Sequence, residues 1–330
     1  MKRKEKVVKT SARIMSYFYV TLILLSLFSV ATYTWFSISK TPEVSDMALY
    51  INTPTGLELS PDPLAEEWTR RLDFQDLVGQ HKPLRPVTWS DNEKRFYAAT
   101  YGLDGRLTNI WDPLSDDRHA NQNNADGYYL MGTLYARCDQ KVTVKLSPAV
   151  EIEEGLQGSG TFVIGEPVWD PDAIAHYNGG HGAELAIRIG FLIQKTDLTG
   201  QPLQEDAVFY IYEPNSDQHV DGSDGYVDTP SVDLTESLVS ADHLICQTTS
   251  SWQESDPVEK NVVVRTLGKF TTETELFSLT PKELAKITVY VWLEGQDADC
   301  TNMIGQQAHI LASIQFATES DGQSGLVPIE

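Results

Sequence analysis

Residues 288–302 read TVYVWLEGQDADCTN, an apolar run that ends abruptly in acidic residues and a cysteine. Within the run, small aliphatic residues alternate with aromatic ones, so both faces of an extended chain would be apolar. This pattern predicts a strand that is buried on both faces and stopped by the polar residues after it. One face is predicted to carry Val289, Val291 and Leu293, and the other Tyr290 and Trp292.

Similar short runs recur along the chain from Met47 onward. GYYLMGTLYAR (127–137) and KVTVKL (141–146) flank a short turn, and Asp104 with Gly105 suggests a tight hairpin between apolar runs. Alternating runs separated by turn residues are typical of antiparallel sheets with one buried face. With roughly ten such runs and little helix, the sequence predicts a mainly β fold, an antiparallel two-sheet sandwich that is jelly-roll-like.

Two short helices are predicted beside these strands. Asp62, followed by Pro63, has the chemistry of a helix start for LAEEWTRRL (64–72). Thr280 and Glu283 form a capping box that predicts about one helical turn before the 288–302 strand.

The N-terminus predicts export. Residues 1–13 carry six basic side chains and one acidic one, and the 24 residues 14–37 carry no charge. A helix needs about 20 apolar residues to cross a bilayer, and basic flanking residues stay in the cytoplasm. We therefore predict a basic cytoplasmic segment (1–13), a signal-anchor or signal peptide helix (14–37), and an extracellular β-sandwich domain with long polar loops (38–330).

The fate of this apolar segment stays open between two alternatives. The small residues Ser29 and Ala31 fit signal-peptidase cleavage after Ala31, which would release a secreted protein. Tyr33, Trp35 and Phe36 instead fit the outer aromatic belt of an uncleaved anchor. The expected localisation is therefore the cell membrane with an extracellular domain, or the exterior after cleavage.

The charge balance limits the partners. The chain has 25 basic and 47 acidic residues, and without residues 1–13 the count is 19 against 46, a net charge of −27. Such a charge disfavours nucleic acid and anionic lipid, and favours solubility, cations or basic partners. Expected partners are the membrane, signal peptidase, other surface proteins and further copies of the chain.

Three cysteines, Cys138, Cys246 and Cys300, permit at most one intramolecular disulfide, with three pairings open. So few cysteines do not form a disulfide framework. Cys246 is expected to pack as a small buried hydrophobic residue.

Two acidic segments are candidate calcium sites. Calcium accepts six to eight oxygen ligands from irregular loops, but both segments are equally consistent with turns in which Asp caps its own backbone. Calcium is the one cofactor that the sequence suggests. The candidate ligands are Asp217, Asp221, Asp224 and Asp228 in the long polar loop, and Asp297 and Asp299 after the 288–302 strand.

No catalytic motif is visible. HYNGGH (176–181) contains two histidines, but its glycine pair indicates a turn rather than a helix that aligns two metal ligands. The sequence contains no GxSxG, HExxH, CxxC or glycine-rich phosphate loop. We therefore expect a non-enzymatic protein with no catalytic residues.

Four blocks carry a family resemblance. ATYTWFS (31–37) resembles the end of the export segment in Gram-positive surface proteins processed by the SipW-type signal peptidase, the group that includes TasA and camelysin. DGYYLMGTLYARCD (126–139), ELAIRIGF (184–191) and VYVWLEGQDADCTN (289–302) resemble blocks of related single-pass surface proteins. The resemblance implies a jelly-roll ectodomain with a role in the envelope, the biofilm matrix or a fibre. In fibre-forming relatives the segment after the signal is donated to a neighbouring subunit, and here that segment would be 32–51.

The leading hypothesis is thus a non-enzymatic cell-surface or extracellular-matrix structural protein, in one form a fibre subunit. The alternative is an extracellular glycan- or calcium-binding module that uses the long polar loops and the aromatic residues Trp111, Trp169 and Trp252. The third reading, an exported metallopeptidase, follows from the classification of camelysin alone, and no motif in this sequence supports it.

Overall fold

The structure, a computed structural model, describes residues 15, 17, 19–26, 43–80, 82–90, 95–101, 107–111, 127–153, 156–165, 183–203, 207–215, 253–255, 262–267, 275–295, 297, 300 and 308–320. Contacts within the chain define two units, Met1–Lys40 and Thr41–Glu330. Residues 19–26 of the first unit are helical. Of the helices in the described part of the chain, none combines the length and apolar character needed to cross a membrane. Most of the helix predicted over 14–37, and the predicted cleavage site after Ala31, lie outside these residues.

The second unit is built mainly from β-strands. Its described residues include two short helices, α1 (Phe74–Val78) and α2 (Ala183–Ala186). The described strands are β1 (Val44–Asn52), β2 (Leu57–Ser60), β3 (Arg71–Asp73), β4 (Val87–Ser90), β5 (Arg95–Tyr101), β6 (Leu107–Trp111), β7 (Leu130–Cys138), β8 (Val142–Leu146), β9 (Val150–Glu153), β10 (Leu156–Ser159), β11 (Phe162–Gly165), β12 (Ile187–Thr196), β13 (Ala207–Tyr212), β14 (Gln253–Ser255), β15 (Val262–Leu267), β16 (Glu275–Leu279), β17 (Leu284–Leu293) and β18 (Ala308–Ser320).

These strands form two large and two small sheets. The six-stranded sheet has the order β16–β8–β18–β1–β3, and β11 also pairs with β18. The seven-stranded sheet has the order β14–β15–β13–β12–β17–β7–β2. The small sheets are β4–β5–β6 and β9–β10. The prediction of a mainly β fold with antiparallel sheets is confirmed at this level.

The two large sheets share one hydrophobic core. Leu49 and Ile314 face it from the six-stranded sheet, and Phe191 and Val289 face it from the seven-stranded sheet. All four side chains are essentially removed from solvent, and each burial of this kind contributes about 1.5–3 kcal/mol. The core between the sheets is therefore the main source of stability in this unit.

A third layer covers part of the other face of the seven-stranded sheet. Trp89 of β4 lies 4.7 Å from Phe209 of β13, and Phe96 of β5 lies 5.1 Å from Trp292 of β17, measured between ring centroids. Val289, Val291 and Leu293 accordingly face the main core, while Tyr290 and Trp292 face the aromatic layer. The two-face prediction for this strand is confirmed, and the aromatic layer explains why its outward positions are apolar.

Two strand pairs depart from the antiparallel expectation. β1 pairs with β18 in parallel, and β13 pairs with β15 in parallel. Parallel neighbours need long connections, and both pairs join strands that lie far apart in sequence. Periodicity within a strand does not encode the direction of such a distant partner.

The helix predicted to begin at Asp62 is wrong. Asp62 does accept a hydrogen bond from the backbone nitrogen of Leu64 at 2.9 Å, but the chain continues as a turn. Thr69 then pairs with Leu59, and the following residues form β3. Tertiary strand pairing outweighs the local helix signal here.

The helical turn predicted at Thr280 is also wrong, although its capping contact forms. The backbone nitrogen of Glu283 donates to the Thr280 carbonyl at 3.0 Å, and that of Thr280 donates to Glu283 Oε2 at 3.3 Å. This is a single reverse turn between β16 and β17, which belong to different large sheets. The chain reverses so tightly that no helix fits between them.

Candidate functional site

The ends of several strands meet around the short helix α2. The side-chain nitrogen of Asn215, which follows β13, donates to the carbonyls of Glu184 at 3.0 Å and Val163 at 3.1 Å. The backbone nitrogen of Glu294, which follows β17, donates to the Ala186 carbonyl at 2.7 Å. The segments after β13 and β17 thus donate to the buried carbonyls of Glu184 and Ala186, which a four-residue helix cannot pair internally.

Arg188, two residues after α2, lies fully buried at this junction. Its Nη2 contacts Glu213 Oε1 at 2.7 Å and Asp297 Oδ2 at 2.6 Å. Its Nη1 donates to the carbonyls of Leu185 at 3.0 Å and Ile187 at 3.1 Å. We call Arg188, Glu213 and Asp297 the Arg188 ion network, and it connects β12 to the segments that follow β13 and β17.

Strand register places this network beside the aromatic layer. Arg188 lies opposite Trp292, whose indole nitrogen donates to Glu294 Oε2 at 3.0 Å. Gly190 is the next residue on the same face of β12. A Cβ at Gly190 would lie 2.7 Å from ring atoms of Phe209 and 3.1 Å from Trp292. Only glycine lets the two rings approach the strand this closely.

The ion pairs of the network are strong because their side chains are removed from water. Arg188 has no solvent exposure, and Glu213 and Asp297 are each 2% exposed. Charge-assisted hydrogen bonds are shorter and stronger than neutral ones, and low local dielectric strengthens them further. The guanidinium therefore holds three chain segments in one arrangement and offsets one of the two negative charges on the carboxylates that contact it.

A further buried carboxyl group, that of Glu184, lies four residues before Arg188 in the chain. Glu184 is 3% exposed, and neither of its side-chain oxygens has a hydrogen-bond partner within the described part of the chain. Its carboxyl group packs against Gly165 of β11, where a side chain would collide with it. Gly165 therefore makes room for Glu184 at the edge of the six-stranded sheet.

The structure brings only one of the predicted calcium ligands into view. Asp297 contacts Arg188, and its backbone forms the turn Glu294–Asp297 through a 3.3 Å hydrogen bond. Asp217, Asp221, Asp224, Asp228 and Asp299 lie outside the described residues. Among the side chains that the structure describes, no three histidine, cysteine or acidic groups come together as a metal site. The calcium interpretation stays a prediction.

The two cysteines among the described residues form no disulfide. Cys138 is a buried free thiol at the end of β7, so neither disulfide that would include it is formed. Cys300 is 2% exposed, and its backbone nitrogen donates to the Asp297 carbonyl at 3.1 Å. Cys246 lies outside the described residues, as do His176 and His181. The acidic end of the 288–302 stretch is therefore a buried turn at Asp297 and Cys300.

The Cys138 thiol gives a testable pH dependence. Burial, reinforced by the negative charges of Asp139 and Glu283, raises its pKa to about 11. Because the thiolate is the reactive form, we expect the native protein to be alkylated by iodoacetamide very slowly at about pH 8 and faster as the pH approaches 11. Peptide mass spectrometry measures the rate, with the unfolded protein as control. Equal rates for the two states at about pH 8 would contradict the expectation.

The same shift predicts a loss of stability in alkali. The thiol pKa is raised from 9.0 in the unfolded chain to about 11 in the fold. The stability that this shift contributes is therefore fully present below pH 9 and is lost as the pH rises through 11. The aromatic layer adds to the effect, because burial raises the pKa of Tyr290 to about 12.

Sequence reasoning missed the two main members of the network. The available signal was Arg188 itself, which is the one charged residue in the otherwise apolar run LAIRIGFLI (185–193). A buried arginine requires a carboxylate, which makes the acidic residues after neighbouring strands its natural partners. Nothing in the local sequence around Glu213 identifies it as that partner.

The fold and the junction define a class in structural terms: a mainly β protein whose two large sheets share a core and whose strand ends are joined by a buried ion network. No family model matches this chain, and no curated protein or solved structure matches it either.

Proposed function

We propose that this chain is a non-enzymatic structural protein of the cell surface or extracellular matrix, exported through its N-terminal apolar segment. One observation carries the proposal. Every apolar side chain described between Met15 and Leu25 is at least half exposed, with Tyr17 at 71% and Leu25 at 63%. So much exposed apolar surface is costly in water and is stabilised by a lipid environment.

The architecture of the second unit supports a structural role. A core between two large sheets gives a stable body, and the Arg188 ion network fixes the ends of its strands. The resemblance of ATYTWFS (31–37) to SipW-processed segments supports the same assignment, as does the resemblance of three further blocks to single-pass surface proteins of that kind. The jelly-roll connection order and cleavage after Ala31 belong to this proposal.

Strand donation needs a rearrangement. β1, the end of the segment expected to be donated, already pairs with β18 and β3 of its own chain. Leu49 and Ile51 on this strand are buried in the core. Assembly by donation therefore requires β1 to leave its own sheet, whereas assembly through outer surfaces does not.

Fractionation of the cells that express the protein tests the proposed location. We expect the unaltered protein in the envelope or the medium, accessible to added protease on intact cells. Changing Leu22 and Leu24 to arginine should abolish export, because each charge in the apolar segment costs about 2.5–3.5 kcal/mol on insertion. Leu64→Arg is the matched control, since Leu64 is 68% exposed on the second unit and should tolerate the charge.

Two further measurements and an assay for protein hydrolysis complete the test. The mass of the mature protein shows whether it starts at Met1 or Thr32, which separates the anchored form from the released one. Electron microscopy of the purified protein over a range of concentrations shows whether filaments form. A cytoplasmic location of the unaltered protein, or chelator-sensitive hydrolysis of a protein substrate, would overturn the proposal.

A further inference from the structure

The carboxyl group of Glu184 is a buried titratable group that the Arg188 ion network does not include. Both of its oxygens are removed from solvent, and among the residues that the structure describes none donates a hydrogen bond to them. The Arg188 guanidinium lies four residues further along the chain, but its Nη2 contacts Glu213 and Asp297 instead. Each of those two carboxylates thus has a cationic partner, whereas the Glu184 carboxyl group is buried without one.

Glu184 lies where the two large sheets meet. α2, which contains it, runs directly into β12 of the seven-stranded sheet and contacts β11 and β18 of the six-stranded sheet. The carboxyl group fills the space beside Gly165 of β11, where a Cβ would collide with Oε2 and lie 3.0 Å from Cδ. This side chain therefore packs an element continuous with one sheet against a strand of the other.

The backbone of α2 is bonded to its surroundings at the same place. The side-chain nitrogen of Asn215 donates to the carbonyl of Glu184 at 3.0 Å and to that of Val163 in β11 at 3.1 Å. The backbone nitrogen of Glu294 donates to the Ala186 carbonyl at 2.7 Å. Movement of α2 away from β11 would therefore break bonds to the segments that follow β13 and β17.

Burial without a partner favours the neutral form of this carboxyl group. Removing a carboxylate from water costs far more than removing the neutral acid, so a buried acid without a cation keeps its proton. In the unfolded chain the same group is in water and ionises above about pH 4.3. Folding therefore binds a proton at Glu184, and a rising pH opposes the packing of α2.

The charged groups around α2 act in the same direction. In the described part of the junction, Glu213, Glu294 and Asp297 follow the strands beside α2, and Arg188 is the cation among them. The described residues of β11 carry no titratable side chain, and His309 of β18 is exposed beside buried neighbours. An additional negative charge would thus enter a region where carboxyl groups already outnumber the guanidinium, which disfavours ionisation further.

We propose that Glu184 is a pH-sensitive latch between the two large sheets. With its proton bound, the neutral carboxyl group packs against Gly165 and holds α2 on β11. When the carboxyl group releases its proton to solvent, the carboxylate moves into water and α2 separates from β11. This regulation goes beyond the proposed structural role, because it requires neither export, cleavage after Ala31 nor filament formation.

Unfolding in urea as a function of pH tests the latch. Full-length protein in a mild detergent is measured from about pH 5 to about pH 8.5, below the range in which the Cys138 thiol ionises. We expect the unfolding constant of the unaltered protein to rise, relative to that of Glu184→Gln, by up to about tenfold per pH unit. Glutamine keeps the shape of the side chain but cannot ionise. Glu67→Gln is the matched control, since Glu67 is exposed and its loss should leave the pH profile unchanged.

Gly165→Ala tests the same latch without altering Glu184. The added methyl group occupies the space of the carboxyl group and should displace it into solvent. We expect this variant to lose the pH dependence that Glu184→Gln loses, although Glu184 is still present. A methyl group that only disturbed packing would lower the stability equally at every pH, and that result would contradict the latch.

Infrared spectroscopy detects the proton directly. At about pH 6 we expect the unaltered protein to show a carboxylic acid band that is absent from Glu184→Gln and that disappears as the pH rises to about 9. The loss of the band is measured in the unaltered protein, so it does not depend on the folding of a variant. The inference is overturned if no such band exists or if Glu184→Gln retains the full pH dependence of the unaltered protein. It is also overturned if calcium raises the urea midpoint of the unaltered protein but not that of Glu184→Gln, since a metal ion and not a proton would then neutralise the group.

Discussion

Arg188→Met is expected to lower the free energy of unfolding by about 3–5 kcal/mol, the cost of removing one partner from a buried ion pair. The Glu213 and Asp297 carboxylates are each 2% exposed and would lose the guanidinium that contacts them. The Leu185 and Ile187 carbonyls would also lose the donor that Arg188 supplies. Urea denaturation with linear extrapolation measures the change.

Arg137→Met is the matched control for this experiment. Arg137 also pairs with a carboxylate, Glu58 at 2.7 Å, and lies over the Trp68 ring at 4.5 Å. Its side chain is 42% exposed and that of Glu58 is 38% exposed, so its loss should cost at most about 1 kcal/mol. Asp297→Asn should fall between the two, because Glu213 still contacts Arg188. Similar small costs for Arg188→Met and Arg137→Met would show that the network does not hold the strand ends.

Trp292→Ala is expected to cost about 3–5 kcal/mol as well, for a different reason. Trp292 is fully buried between the seven-stranded sheet and the aromatic layer, 5.1 Å from Phe96. Its removal leaves a large cavity and takes away the indole donor to Glu294. We expect a lower urea midpoint, together with a changed near-ultraviolet circular dichroism signal as the aromatic layer loosens.

Two variants separate the cavity from the hydrogen bond. Trp292→Phe keeps an aromatic ring but removes the indole nitrogen, so the difference between it and Trp292→Ala reports the packing alone. Trp68→Ala is the control for tryptophan loss, because Trp68 is only partly buried and should cost much less. If Trp68→Ala were as destabilising as Trp292→Ala, the aromatic layer would carry no special share of the stability.

The sequence alone predicted the strands well because their periodicity is local. β7 shows alternating burial along its whole length, and Leu134 and Ala136 face the core as the pattern predicts. The predicted hairpin at Asp104 and Gly105 is supported by the antiparallel pairing of β5 with β6, although the turn itself lies outside the described residues. The hydrophobic pattern therefore predicts where the strands occur and which of their residues face the core.

The sequence did not predict which strands pair with each other. β7 and β8 follow one another across a short turn, yet they belong to different large sheets. α1 was also missed, because its five residues carry too weak a pattern; its signals are Asp73, which accepts from the Gln75 nitrogen at 2.9 Å, and Gly79, whose φ of 71° ends it. Such choices depend on contacts between residues that are distant in sequence.

The partners of residues in the candidate site could not be predicted from the sequence either. Asp297 stood out in the sequence as an acidic residue after a buried strand, and the metal hypothesis followed from its side chain alone. The structure places it against Arg188, which is 109 residues away in the chain. Periodicity identifies which residues are buried, but only the fold shows which buried charged residues form ion pairs with each other.

The position of β18 has a consequence for the order in which the protein is made. This strand lies between β1 and β8 in the six-stranded sheet, and β11 also pairs with it, although it is the last strand described in the chain. Contacts of such long sequence separation slow folding. During synthesis, β1, β8 and β11 lack their common pairing partner. Their apolar faces therefore stay exposed until β18 has been made. Synthesis from the N-terminus would thus leave this sheet incomplete until β18 emerges, which is the interval in which aggregation is most expected.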